Sequence, residues 1–177
     1  LNNAAKDVPA GSDGVLFLPY LTGGTNDVKE ATGCFLNMTL DTDQATLWHA
    51  VLEAIGYDYM EITDLYRGAG VDMSRITITE GGSRSEIWNQ MKSDMLGSEV
   101  ITLKNAGGAV VTDCIVGAYA LGHITDMKAA LTESLEIKKL YYTNAENHDF
   151  YAKQYALQKK LVKQDMKEAF HTLKALH

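Results

Sequence analysis

Between Arg75 and Gly97 the chain reads RITITEGGSRSEIWNQMKSDMLG, and the centre of that stretch, Glu80-Gly81-Gly82-Ser83-Arg84-Ser85-Glu86, has the residue types and spacing to bind a ligand. Gly81 and Gly82 leave the main chain uncovered where β-branched alternation gives way to a helical pattern. Free N–H groups and the positive end of a helix dipole attract oxygen-rich anions at such a place, and missing β-carbons let a phosphate or a flat ring approach the backbone. The same residues also suit a plain tight turn from strand to helix, with Ser83 and Glu86 as an S-x-x-E capping box. The run is neither a Walker A loop nor a G-x-G-x-x-G fingerprint. On spacing alone both readings stand.

The elements that would carry this corner follow from hydrophobic period. Arg75–Thr79 alternates, with Ile76 and Ile78 on one face, and reads as a strand. Ile87, Trp88, Met91 and Met95 recur at helical steps until Gly97, which ends that helix. Upstream, Asp41 and Gln44 form a capping box, and Trp48, Val51, Leu52, Ile55, Tyr59, Ile62 and Tyr66 predict a long amphipathic helix closed by Gly68 and Gly70. GVLFLPYL, from Gly14, and CFLNMTL, from Cys34, read as two strands able to pair. EVITL predicts another strand. KNAGGAVVTDCIVGAYALG then predicts a helix whose small residues suit packing on more than one side. A short helix from Thr125 and Asp126, an extended EIKKLYYT and a terminal helix complete the chain. Strand and helix alternating through short turns predict an α/β fold with parallel βαβ units.

Composition narrows the classes of function. A chain of 177 residues with 46% hydrophobic residues and two prolines has material for one core. The formal net charge of −7 argues against a nucleic-acid-binding face, which needs clustered Lys and Arg. No apolar run reaches the roughly 18 residues of a membrane span. Cys34 and Cys114 are far apart, with no CxxC, and read as reduced, buried thiols of a cytoplasmic protein. The opening LNNAAKDVP lacks Met and reads like the end of a helix, so a longer polypeptide is expected upstream.

Other constellations carry less. His49, His123, His148, His171 and His177 show neither HExxH nor Cys/His spacing, so no metal site is expected. A G-x-S-x-G elbow is missing. Asp58, Glu61 and Asp64 read as the wet face of a helix, as do Lys153, Lys159, Lys160, Lys163 and Lys167 on the terminal one.

Three blocks taken together, GSDGVLFLPYLTG, GCFLNMTLDTDQATLWHAVLEAIGYDY and ITEGGSRSEIWNQMKSDMLGSEV, resemble in order and spacing the C-terminal domain of the FGGY carbohydrate kinases, most of all the xylulose kinases. The match covers roughly Val8 to Gly122. The resemblance implies a partial actin-like ATPase fold of ribonuclease-H type, with a mixed, mainly parallel sheet flanked by helices. Residues 1–177 would form the C-terminal nucleotide-binding domain, with 1–13 a linker and 145–177 a terminal helix.

By the same resemblance EGGSRSE is the adenosine-binding motif, and Gly81, Gly82, Ser83, Ser85 and Glu86 are the nucleotide-binding residues. Trp88 is read as core rather than a stacking partner for the base. The implied activity is ATP-dependent phosphorylation of a sugar hydroxyl, on a ketopentose such as D-xylulose, with Mg²⁺ as cofactor. The sugar would be shared with an upstream N-terminal domain that also holds the catalytic base, so no catalytic residue is expected here and the fragment alone should be inactive. A homodimer is implied because relatives often pair. Two departures bear on this. After LPYL the xylulose kinases carry Ser-Gly-Glu-Arg-Thr-Pro, whereas this chain has Thr22, Gly23, Gly24, Thr25, Asn26 and Asp27. Asp113 stands in an otherwise apolar helix and reads as structural. The competing expectation is a non-catalytic nucleotide-binding or interaction module of the actin-like superfamily.

Overall fold

The computed structural model describes residues 1–24, 28–104 and 108–175. Thr25, Asn26 and Asp27 of the departing loop lie outside the described residues, as do Asn105, Ala106 and Gly107 ahead of the small-residue helix and Leu176 and His177 at the end.

Two strands open the fold. β1 (Leu16–Leu18) and β2 (Cys34–Leu36) pair antiparallel, with Leu16 opposite Leu36 and the rings of Phe17 and Phe35 4.6 Å apart. The main sheet has the order β3 (Arg75–Ile78), β4 (Glu99–Leu103), β5 (Ile137–Tyr141). β3 and β4 run parallel through the crossover helix α2 (Glu86–Leu96), and β4 and β5 run antiparallel, so the sheet is mixed.

The 25-residue helix α1 (Gln44–Gly68) starts at Asp43, whose carboxylate accepts from Thr46 N, rather than at the Asp41 box. Its buried side also differs from the expected stripe. Thr46, His49, Ala50, Glu53, Gly56, Tyr57, Met60 and Thr63 face inward, while Tyr59, Ile62, Leu65 and Tyr66 are exposed. Two requirements turn the helix. Gly56 sits directly against Met95, where a β-carbon would clash, and Glu53 is needed inside as an acceptor. Tight approach and a buried acceptor outweigh the larger side chains left outside.

α2 is the hub of the core. Its Met91, Met95 and Leu96 meet Leu52, Tyr57 and Met60 of α1 and Tyr151 and Tyr155 of α5 (Ala145–Lys160). Burying side chains of this size stabilises by roughly 1.5–3 kcal/mol each. A smaller cluster joins Leu18, Ala31, Val162 and Phe170, the last on α6 (Lys167–Lys174). Between α5 and α6 a π turn over Leu161–Asp165 interrupts the terminal helix.

α3 (Gly108–Ala120) packs chiefly on α4 (Met127–Ser134) and leaves Val110, Val116 and Tyr119 exposed. Among the described residues the expected packing of α3 on several sides is not seen, its main neighbour being α4. Asp113 and Cys114 on α3 are exposed and Cys34 is half-buried, so the expectation of two buried thiols fails. No helix among the described residues is long and apolar enough to cross a membrane.

Candidate functional site

The glycine corner lies at the carboxyl end of β3, where the chain makes a 3-10 turn, Glu80–Ser83, before α2 begins. The helix therefore does not start at Ser83. Ser83 Oγ donates to Glu80 O over 2.8 Å, and it is Ser85 that caps α2 by accepting from Trp88 N. The single left-handed residue at the corner is Glu80, with φ 58°, and neither glycine has a positive φ.

A β-carbon built on Gly81 meets nothing within 4 Å, and one built on Gly82 makes only ordinary contacts, the nearest 3.7 Å away at Lys92 Nζ. Among the described residues neither backbone conformation nor packing demands glycine at either position, although glycine costs more conformational entropy than any other residue. The exposed main chain at Gly81 leaves room for a molecule to approach it.

The surroundings fit an anionic molecule. A cavity of about 300 Å³ opens beside the turn, lined by Glu80, Ser83, Arg84, Thr102, Leu103, Lys104 and Lys138. It sits at the carboxyl ends of the parallel pair β3 and β4, a place where ligands collect in α/β sheets. Arg84, Lys104 and Lys138 supply positive charge; Lys104 is paired with Glu136, and Glu80 Oε1 accepts from Ala109 N in the first turn of α3.

Among the residues expected to form the site, the structure places Ser83 in the cavity wall and Gly81 and Gly82 on the turn beside it. Ser85 is occupied as a cap. Glu86 turns to β5, where its Oε2 lies 3.0 Å from Lys139 Nζ. Trp88 packs on the core, its ring 6.2 Å from Tyr59. Sequence reasoning missed Arg84, Thr102, Lys104 and Lys138, which converge only through folding. It also missed Lys92, beneath Gly82, for which there was a signal: a lysine four residues after Trp88, on the apolar stripe of α2.

A second polar cluster has another character. Ser12 Oγ donates to Glu53 Oε2 over 2.7 Å and lies 2.8 Å from His49 Nδ1, while Glu53 Oε1 accepts from Gly11 N and from Tyr151. Serine, histidine and carboxylate in contact suggest nucleophilic chemistry. Ser12 is wholly buried, however, so no substrate reaches its hydroxyl. Burial pushes Glu53 up to about 7 and His49 down to about 4. The cluster holds the turn Gly11–Gly14, in which four successive residues have positive φ.

The profile of the C-terminal domain of the FGGY family of carbohydrate kinases matches residues 1–121. The chain belongs to that family. A xylulose kinase of Staphylococcus epidermidis is 29% identical over 164 residues, spanning 92% of this chain and 33% of that protein. A gluconokinase of Bacillus subtilis is 33% identical over 135 residues, 73% of this chain and 26% of that protein. The fold matches the crystal structure of a xylulose kinase from Lactobacillus acidophilus with a TM-score of 0.76 at 21% identity, covering 97% of this chain and 35% of that one. The α/β architecture with its mixed sheet and flanking helices is thus the actin-like ATPase fold of the family. The chain spans about a third of the length of the curated relatives it matches.

Proposed function

We propose that this chain is the nucleotide-holding part of an ATP-dependent sugar kinase, with the adenosine end of ATP resting on Gly81 and Gly82 and its anionic portion drawn by Arg84, Lys104 and Lys138. The observation that carries the reading is a pair of glycines that no contact among the described residues requires, beside a cavity lined by Arg84, Lys104 and Lys138. Ser83 belongs to the wall of that site. Ser85 and Glu86 act on it indirectly, by capping α2 and by tying its first turn to β5.

The reaction would join a sugar hydroxyl oxygen to the γ-phosphorus as the bond to the β-phosphate oxygen breaks, releasing ADP. The hydroxyl proton passes to a base outside this chain, and such transfer depends mainly on positioning and charge neutralisation. Among the described residues no group of three or more His, Cys, Asp or Glu is placed to hold a metal ion. Mg²⁺ would accompany the phosphates of the nucleotide and neutralise their charge. Similarity to xylulose kinases and gluconokinases alike supports a small sugar or sugar acid as substrate, with a ketopentose such as D-xylulose the first to test. A cytoplasmic enzyme, and a dimer, fit this reading.

The test is ADP release by the complete polypeptide that carries this chain, offered xylulose, ribulose, gluconate and glycerol in turn. Sugar-dependent release with one of them supports the reading. Nucleotide binding without release on any sugar would instead support a non-catalytic nucleotide-binding module.

A further inference from the structure

Lys92 is 1% exposed on the inner side of α2, and among the described residues no carboxylate lies within ion-pair distance of it. An ammonium buried without a counter-ion is costly, and an apolar side chain of similar length would serve the core better. Burial pushes the group down to about 8. Its two partners are Gly82 in the glycine corner and Trp88 in the first turn of α2. Nζ donates to Gly82 O over 3.0 Å and stands 3.6 Å from the centre of the Trp88 ring, which Tyr59 backs in turn.

We propose that Lys92 is a positioning residue for the nucleotide, holding the Gly82 carbonyl inward so that the outer surface of the bend is presented to the ligand. The carbonyl and the following N–H of a trans peptide point in opposite directions, so fixing one oxygen sets the orientation of the whole peptide unit. Trp88 guides the ammonium by attraction to its ring face. Lys92 is buried while Gly81 is exposed, so Lys92 acts on the ligand through Gly82 and not by touching it. This inference rests on the nucleotide reading above.

The experiment compares steady-state kinetics of the complete kinase with those of its Lys92→Met variant, which keeps the length of the side chain and removes the donor and the charge. KM for ATP should rise about tenfold while KM for the sugar stays within about twofold, a split that general loss of structure does not produce. Lys92→Arg, which keeps a cationic donor, should recover most of the affinity. If Lys92→Met fails to fold, Lys92→Gln and Lys92→Arg supply the same comparison, with the arginine variant expected to hold ATP more tightly. An unchanged KM for ATP in folded Lys92→Met, or equal loss for ATP and sugar, overturns the proposal. Gly81→Ala measured alongside separates the two claims. If it weakens ATP and Lys92→Met does not, only the positioning role fails; if neither does, the nucleotide reading fails with it.

Discussion

Ser12 donates its hydroxyl hydrogen to Glu53 across 2.7 Å, in a place where both side chains are almost completely shut from water. This bond joins α1 to a turn that would otherwise be strained. Ser12 and Asp13 have φ of 50° and 52°, a region non-glycine residues enter at a cost of about 1 kcal/mol or more each. Glu53 also accepts from Gly11 N and Tyr151, so one carboxyl group ties the N-terminal turn to both α1 and α5. Glu53→Ala should destabilise the protein by about 3 kcal/mol, read as a shift of the urea midpoint, because three buried donors lose their acceptor. A loss of under about 1 kcal/mol would show that the turn holds itself.

The pH dependence of stability follows from the same cluster. Glu53 is raised from 4.5 to about 7, so its contribution is present below pH 4.5 and lost as pH rises through 7. His49 is lowered from 6.5 to about 4, so its contribution is present above pH 6.5 and lost as pH falls through 4. Between pH 4.5 and 6.5 the two oppose each other: folding transfers a proton from histidine to glutamate without net uptake. The unmodified chain should therefore show little slope from this pair in that window. Glu53→Gln removes the opposing half and should gain stability as pH rises from 4 to 6.5. A series of urea midpoints across this range checks the sign.

Substituting the corner glycines should separate stability from binding. Gly81→Ala adds a methyl group to open space and restricts the unfolded chain, so stability should stay equal or rise by about 0.5 kcal/mol. Affinity for ADP, measured by calorimetry, should fall at least tenfold, since the methyl group occupies the space assigned to the ligand.

Gly97 is the opposite case. It closes α2 with φ 58°, and an added β-carbon would lie 2.7 Å from the His148 ring. Gly97→Ala should cost about 2–3 kcal/mol through left-handed strain and the displaced ring, with thermal melting as the readout. The glycines at 81 and 97 thus answer to different demands.

Much of the fold was legible before the structure. β3, β4, the stop at Gly97, the β1–β2 pair and the start of α4 near Asp126 all follow from local chemistry, and local chemistry is what a sequence displays. The buried face of α1 was not legible, because the choice of Glu53 and Gly56 over Tyr59 and Ile62 is made by partners far away in the chain, Ser12 and Met95. The cap of α2 was misread by two residues because a 3-10 turn consumes Glu80–Ser83 first. The glycine pair stood out in sequence, but its cationic wall did not: Arg84, Lys104 and Lys138 come from three separate segments and meet only at the sheet edge.

The decisive measurement is a crystal structure of the complete polypeptide with ADP bound. The account predicts the adenosine portion within van der Waals distance of the Gly81 and Gly82 main chain, beside the cavity walled by Ser83, Arg84 and Lys104. ADP seated elsewhere, for instance in the 260 Å³ cavity between Val28 and Phe170, with the glycine bend left bare, would contradict it.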